Sequence, residues 1–466
     1  TESDPAGFQP RWNATGTDSG IAFLPTTLNP TGWRDPSTWQ GITGVEAVAD
    51  LQWKQSIVPV TGVRAASGST PGLLTMAPAA WTNANLFRSP SDPNAPGIWS
   101  FVDVDHFENS LSFLDAPGEW YLDRSTGILR YMPQPWQDMA RVDVELPRLE
   151  TLVAGHGTDD APIHDLIIRD LTFTGATWNE PSSADGFIED QAGFHVLGST
   201  CAPNPIGHCL DPTPTPGNVT FDHATRLRFE RNSFTGLGAT GLMLGTGTQE
   251  SVVDANSFTQ LGASAVTLGG ISPTDHHPTS DASTTRDDAI SRNHIVDIGL
   301  DYSGAPAVNV GFALRMRVTG NQIRSVPWAG ISVGWGWGLL DPGGFPGVLY
   351  ATPSMWGTWS TPTINREGVI ADNDISDYQR RLNDTGAIYT TGFQGTSFTD
   401  GLTISGNVAH DRAPGGFGNT FYTDGGTRWV TVRANTSAHN PINRTALYGP
   451  IPVSYTHLTL PTILLV

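Results

Sequence analysis

The chain has 466 residues, with 25 Lys and Arg against 45 Asp and Glu, a formal net charge of −20. That balance argues against a nucleic-acid partner, which needs clustered cations, and against docking on an anionic membrane surface. No apolar run approaches the ~20 residues of a membrane-crossing helix. The 52 Gly and 35 Pro, about a fifth of the chain, describe a loop-rich protein short of the level that signals disorder.

Residues 1–35 carry no assignable pattern. "GEWYLDRSTGILRYMP" reads as a hairpin, with strands over 120–123 and 128–132 and a turn ending at Gly127. "RVDVELP" alternates Val142, Val144 and Leu146 and predicts a further strand. Residues 1–146 are therefore expected to form a β-rich, sandwich-like module. "CAPNPIGHC" holds the only two cysteines, Cys201 and Cys209, in a Pro-rich loop where they can close a small ring. Such a disulfide suits an extracytoplasmic, secreted protein.

From about residue 147 a repeat takes over. The pattern apolar-x-x-Asn-x-apolar recurs at Asn232, Asn256, Asn293, Asn321, Asn373, Asn407 and, more weakly, Asn435. "IIRDLTF" around Asp170 reads as an earlier copy. A short strand follows most copies: "GLMLG", "AVTLG", "AVNVG", "GISVG", "AIYTT" and "TFYTD". The strands alternate, are β-branched or aromatic, and are bounded by Gly, Asn and Asp, and no helical period of useful length appears. The expected fold is all-β, a right-handed parallel β-helix over 147–452, in which each chain segment winds onto the previous coil. Recurrent Asn at one place predicts a stacked side-chain ladder at a turn, with Asn in the left-handed region. "VSYTHLTLPTILLV" (453–466) lacks the punctuation of the rest and is read as a non-native tail.

The long insertions after Asn256 and Asn321 are the natural places for binding. The second carries Trp335, Trp337, Trp356 and Trp359, and aromatic rings stack on the apolar faces of sugars. Trp335 and Trp337 are the better candidates. His276 and His277 lie in a Ser/Thr/Asp-rich stretch with no third ligand at metal spacing. That stretch is expected to be a solvated loop, with no metal and no cofactor, and His276 is kept as a candidate substrate contact.

The acidic residues divide by register. Asp297, Asp377 and Asp411 each fall four residues after a ladder Asn, so turn geometry explains them. Asp424 falls where the other aligned strands have Gly245, Gly269, Gly311, Gly334 and Thr391. Asp384, ahead of the neighbouring strand, is likewise outside the repeat. Two such aspartates on neighbouring coils suit the carboxylate pair of glycoside hydrolysis, one as acid/base and the other as nucleophile or water-activating base. Because Asp384 is seven positions from the slot of Asp424, it must sit on a turn folded back over the face.

"ENSLSFLDAPGEWYLDRSTGILRYMP", "LPRLETLV", "GFIEDQAGFHV", "AGISVGWGWG", "RLNDTGAIYTTG" and "NTFYTDGG" together resemble the parallel β-helix glycoside hydrolases of family 141, over about residues 33–440. That family includes α-L-fucosidase and xylanase activities on plant cell-wall glycans. The β-xylosidases of family 120 share the "GEWYLD" module and are the second resemblance. What these imply is a β-helix with an N-terminal sandwich, Asp384 and Asp424 as catalytic carboxylates, and Trp335 and Trp337 beside the cleft. Tyr389 and Tyr422, in the same elements, are candidate substrate contacts, and the partner is a polysaccharide or oligosaccharide. Gly425 stands where the family often has an acid, and Thr385 and Ala387 stand in place of glycines. Two other readings stay open: a polysaccharide lyase acting on uronates, with Arg380 or Arg381 near Asp384, and a surface solenoid that binds glycan without cleaving it.

Overall fold

The computed structural model describes residues 19–23, 35–85, 104–198, 212–338, 340–342 and 359–440, and the backbone of three further short strands, Glu2–Ser3, Arg11–Trp12 and Thr445–Leu447. The cysteine loop, Trp356 and the segment 453–466 lie outside the described residues.

Three long parallel sheets run side by side. One has nine strands, from Val153–His156 to Thr445–Leu447. Two have eight strands each, ending in Val430–Arg433 and Thr436–Ala438. The chain visits them in a fixed order, as in Arg228–Glu230, Ser233–Leu237 and Thr240–Leu244, and then pairs the next such set on top in register. We call each circuit a rung. Alternating residues point into the common core, where Phe173, Phe234 and Phe258 stack at centroid separations of 4.8 and 4.5 Å.

The asparagine ladder is continuous. In each of Asn232, Asn256, Asn293, Asn321, Asn373 and Asn407, Nδ2 donates to Oδ1 of the next ladder asparagine at 2.9–3.0 Å, and Asn435 ends the column. The expected left-handed backbone sits one residue earlier than predicted, at Arg231, Ala255, Arg292, Gly320, Asp372, Gly406 and Ala434. The left-handed residue turns the corner, so that the asparagine side chain points inward and spans the rungs. Asp297, Asp377 and Asp411 have φ of 53°, 50° and 53°, as a turn column requires.

The N-terminal region is antiparallel. The strand Lys54–Arg64 bulges between Val60 and Gly62. Its first half pairs with Glu46–Leu51 and its second half with Gly72–Met76. Trp39, packed on Phe107 and Phe113 at 4.9 and 5.0 Å, closes this region's own core. Phe187–Gln191 then pairs with Lys54–Arg64, so the antiparallel sheet recruits a strand from beyond residue 147. The hairpin Trp120–Asp123 with Ile128–Tyr131 forms, with Gly127 at φ 70°. The strand predicted over 142–146 does not. Val144 and Leu146 are 63% and 64% exposed: the alternation is present, but among the described residues no strand pairs with it, and Pro147 brings no donor. Among the described residues no helix is long and apolar enough to cross a membrane.

Candidate active site

Strand periodicity builds the site on the outer face of the nine-stranded sheet. Ile388 and Phe421 point into the core between the sheets. Their neighbours Tyr389 and Tyr422 point the other way and join an outer cluster with Trp53, Phe194, Trp328, Trp335 and Trp337. The two tyrosines pair across adjacent rungs, with ring centroids 5.4 Å apart and planes at 79°.

The column that contains Asp424 follows from the strand register. It runs His156, Asp222, Gly245, Gly269, Gly311, Gly334, Thr391, Asp424. Two of its glycines answer to crowding. A Cβ on Gly311 would lie 2.2 Å from Gly270 O, and one on Gly334 would lie 2.0 Å from Thr391 O. Asp222 therefore shares the slot of Asp424 on an earlier rung, a second exception that the sequence alignment left out. It bonds His156 Nδ1 at 2.5 Å.

Asp424 is held from several sides. Its backbone N–H donates to Thr390 O at 2.8 Å. Its Oδ2 accepts the Tyr389 hydroxyl in a short hydrogen bond and Trp337 Nε1 at 3.2 Å. Trp337 adopts φ 47° and ψ 31°, a left-handed conformation that is costly for a bulky side chain and that surrounding contacts must hold in place. Gly426 makes room for it, since a Cβ there would stand 2.3 Å from Trp337 O.

Asp384 sits on a turn folded over the face, which removes the seven-position mismatch. Its φ is 55°. Its N–H donates to Phe417 O at 2.6 Å, and the preceding Asn383 N–H donates to Gln52 O at 2.6 Å. Trp328 Nε1 donates to Asn383 O at 3.1 Å. The Tyr422 hydroxyl then donates to Asp384 Oδ1 at 2.8 Å. Burial, and secondarily the charge of Asp424, push the Asp384 carboxyl up to about 6, against the pull of the Tyr422 hydroxyl. Burial and Asp424 likewise drive the Tyr389 hydroxyl well above the usual phenol range, so Tyr389 remains a donor. Asp384, Asp424, Tyr389, Tyr422 and Trp337 are thus one assembly.

Trp335 and His276 stand differently. Trp335 is 2% exposed, packed on Phe194 and Trp337 at 5.0 and 5.3 Å, and it presents no open ring face. The stretch around His276 is not a solvated loop. Ser272 and Asp275 form a reciprocal capping box on the short helix Pro273–His276. His276 is fully buried, with Nε2 3.0 Å from Asp341 Oδ1 and its ring edge-on to Phe312. Asp341 Oδ2 in turn accepts from Phe393 N at 3.0 Å. Among the described residues no hydrogen bond links His276 to either aspartate. Arg381 is paired with Asp50 and Asp105 at 2.8 and 3.1 Å, and Arg380 lies 3.7 Å from Asp377.

The antiparallel region contributes groups that the repeat search did not single out. The Gln191 side chain lies close enough to Tyr389 to offset part of the upward push on its hydroxyl. Trp53 joins the outer cluster, with Nε1 bonded to Asp190 O at 3.1 Å. These residues come from hairpin turns outside the repeat, so no column of aligned positions could single them out.

Scanned against known protein families and against curated proteins, the chain matches none. Among solved structures, one described as a glycoside hydrolase superposes with a TM-score of 0.71 at 20% identity, covering 94% of this chain and 73% of its own. A complex of XylC with xylose matches with a TM-score of 0.34 at 10% identity, over 70% of this chain and 47% of the other. The first likeness shows that the chain has the fold of that glycoside hydrolase.

Proposed function

We propose that the protein is a secreted glycoside hydrolase built on a right-handed parallel β-helix, with Asp384 and Asp424 as its catalytic pair. The observation that carries this reading is the contrast between two carboxylates held by paired tyrosines on adjacent rungs. Asp384, raised to about 6, is suited to deliver a proton to the glycosidic oxygen. Asp424 accepts two donors at one oxygen, which favours its anion. It is suited to attack the anomeric carbon or to activate water against it. When the bond breaks, the proton of Asp384 goes to the leaving sugar. The charge that develops on the cleaved ring is met by Asp424.

The substrate class we propose is a neutral plant cell-wall glycan, with α-L-fucosides or xylan first, on the strength of the family 141 and family 120 resemblances. Tyr389, Tyr422 and Trp337 orient the carboxylates; the tyrosine rings, 1% and 2% exposed, act through the aspartates rather than as open stacking faces for the sugar. The ion pairs of Arg380 and Arg381 leave no observation that favours a lyase base there.

The test is a panel of nitrophenyl glycosides and soluble polysaccharides. The expected result is release of the nitrophenol or of new reducing ends on a neutral glycan. Turnover confined to uronate polymers, with an unsaturated ultraviolet-absorbing product, would overturn it.

A further inference from the structure

A cleft of about 1160 Å³ lies between the antiparallel region, the Trp120–Tyr131 hairpin and the turn at Leu300–Tyr302, and neither Asp384 nor Asp424 lines it. Its walls mix aromatic and hydrogen-bonding groups. Trp120, at the hairpin, is 64% exposed. Trp178 and Tyr302 stand edge to face on the opposite wall, 4.8 Å apart. Glu46 is buried and accepts from Asn109 Nδ2 at 2.7 Å. The Asp301 carboxylate has no hydrogen bond or ion pair among the described residues. At the lining, Arg381 is paired with Asp50 and Asp105 and His106 with Asp105 at 2.7 Å, while Arg124 has only a long bond to Ser182 O at 3.5 Å, against the four carboxylates Glu46, Glu108, Asp123 and Asp301. What faces the space is therefore an aromatic ring beside hydrogen-bond acceptors, with an acidic balance.

We propose that this cleft is a second glycan-binding site, taking a neutral segment of the polysaccharide away from the bond being cut. The inference rests on the glycan reading above. A pyranose offers C–H faces to Trp120 and hydroxyl donors to Asp301 and its neighbours, and the cleft exceeds the volume of a single sugar. A uronate would bring its own charge against Asp301 and the acidic balance of the lining and is disfavoured.

The test is native affinity electrophoresis of the full chain in gels containing soluble xylan, mixed-linkage glucan or polygalacturonate. Neutral polymer should retard the protein, and Trp120→Ala should weaken that retention by roughly three- to tenfold, the worth of one aromatic contact. Asp301→Asn should weaken it in the same direction. Trp136→Ala, at an 80% exposed tryptophan outside the cleft, should migrate as wild type. Equal retention of the Trp120 and Trp136 variants, no retention by any neutral polymer, or Trp120-dependent retention by polygalacturonate would overturn the proposal. Hydrolysis assayed on the same preparations separates the two readings. Turnover with equal retention of both variants removes the second site alone. Trp120-dependent retention without turnover removes the catalytic reading and leaves the site.

Discussion

Tyr422→Phe removes one hydroxyl and little else. The ring keeps its edge contacts with Tyr389 and Phe417, while Asp384 Oδ1 loses a donor at 2.8 Å. That donor is the influence that holds the Asp384 carboxyl down, against burial and the charge of Asp424. A hydrogen bond to a charged group contributes about 1.5–3 kcal/mol, and one pKa unit is about 1.36 kcal/mol, so its loss corresponds to about one to two units. Asp384 is only half-buried, and water will replace part of the lost bond, so the lower end applies. The carboxyl should move from about 6 upward by about one unit. A proton donor works only while protonated, so the alkaline fall of kcat/KM should shift upward by about one pH unit in the variant. The assay is a pH profile of kcat/KM on the best nitrophenyl glycoside for both proteins. An alkaline limb that stays in place, or moves down, would refute both the role of Asp384 and the cause assigned to its raised pKa.

Trp337→Phe removes the Nε1 donor from Asp424 and should lower kcat by roughly tenfold or more, the worth of a hydrogen bond to a charged group. Trp335→Phe removes no donor to either aspartate and should lower it less, as steady-state kinetics will compare. Asn321→Ala deletes four ladder bonds and leaves Asn293 N–H without its acceptor. Destabilisation should be about 3–5 kcal/mol by denaturant titration, and clearly smaller for the part-exposed terminal Asn435→Ala. Asp288 is buried, bonded to Ser251 N and the Thr248 hydroxyl, and pushed up from 3.8 to about 8. Its folded form holds the proton more tightly than its unfolded form. The stability it contributes is therefore complete below 3.8 and is lost as pH rises through about 8. Asp288→Asn should be relatively more stable than wild type on the alkaline side, as thermal unfolding at several pH values will record.

The rungs were legible because they repeat. Seven asparagines at one place in each copy announced a ladder, and the ladder is there with every side-chain bond between neighbours. The strand alignment also placed Asp424 opposite Thr391 and Gly334, which is the pairing the backbone makes. What failed was local. Val142, Val144 and Leu146 have the alternation of a strand, but alternation cannot supply a neighbouring edge. His276 looked solvated because its loop is polar, yet the polar residues Ser272 and Asp275 serve as a helix cap that lets the histidine turn inward. The partners of the site from outside the repeat, Gln52, Trp53 and Gln191, were hidden for a different reason. They reach Asn383 and Tyr389 through long-range packing of hairpin tips, and such tips carry no periodic signature.

The most direct test of the central claim is turnover of a neutral glycan by Asp384→Asn and Asp424→Asn, each checked for wild-type unfolding behaviour. The account predicts that each folded variant loses ~10²–10⁴-fold in kcat. A folded variant of either position that turns over at the wild-type rate would contradict it.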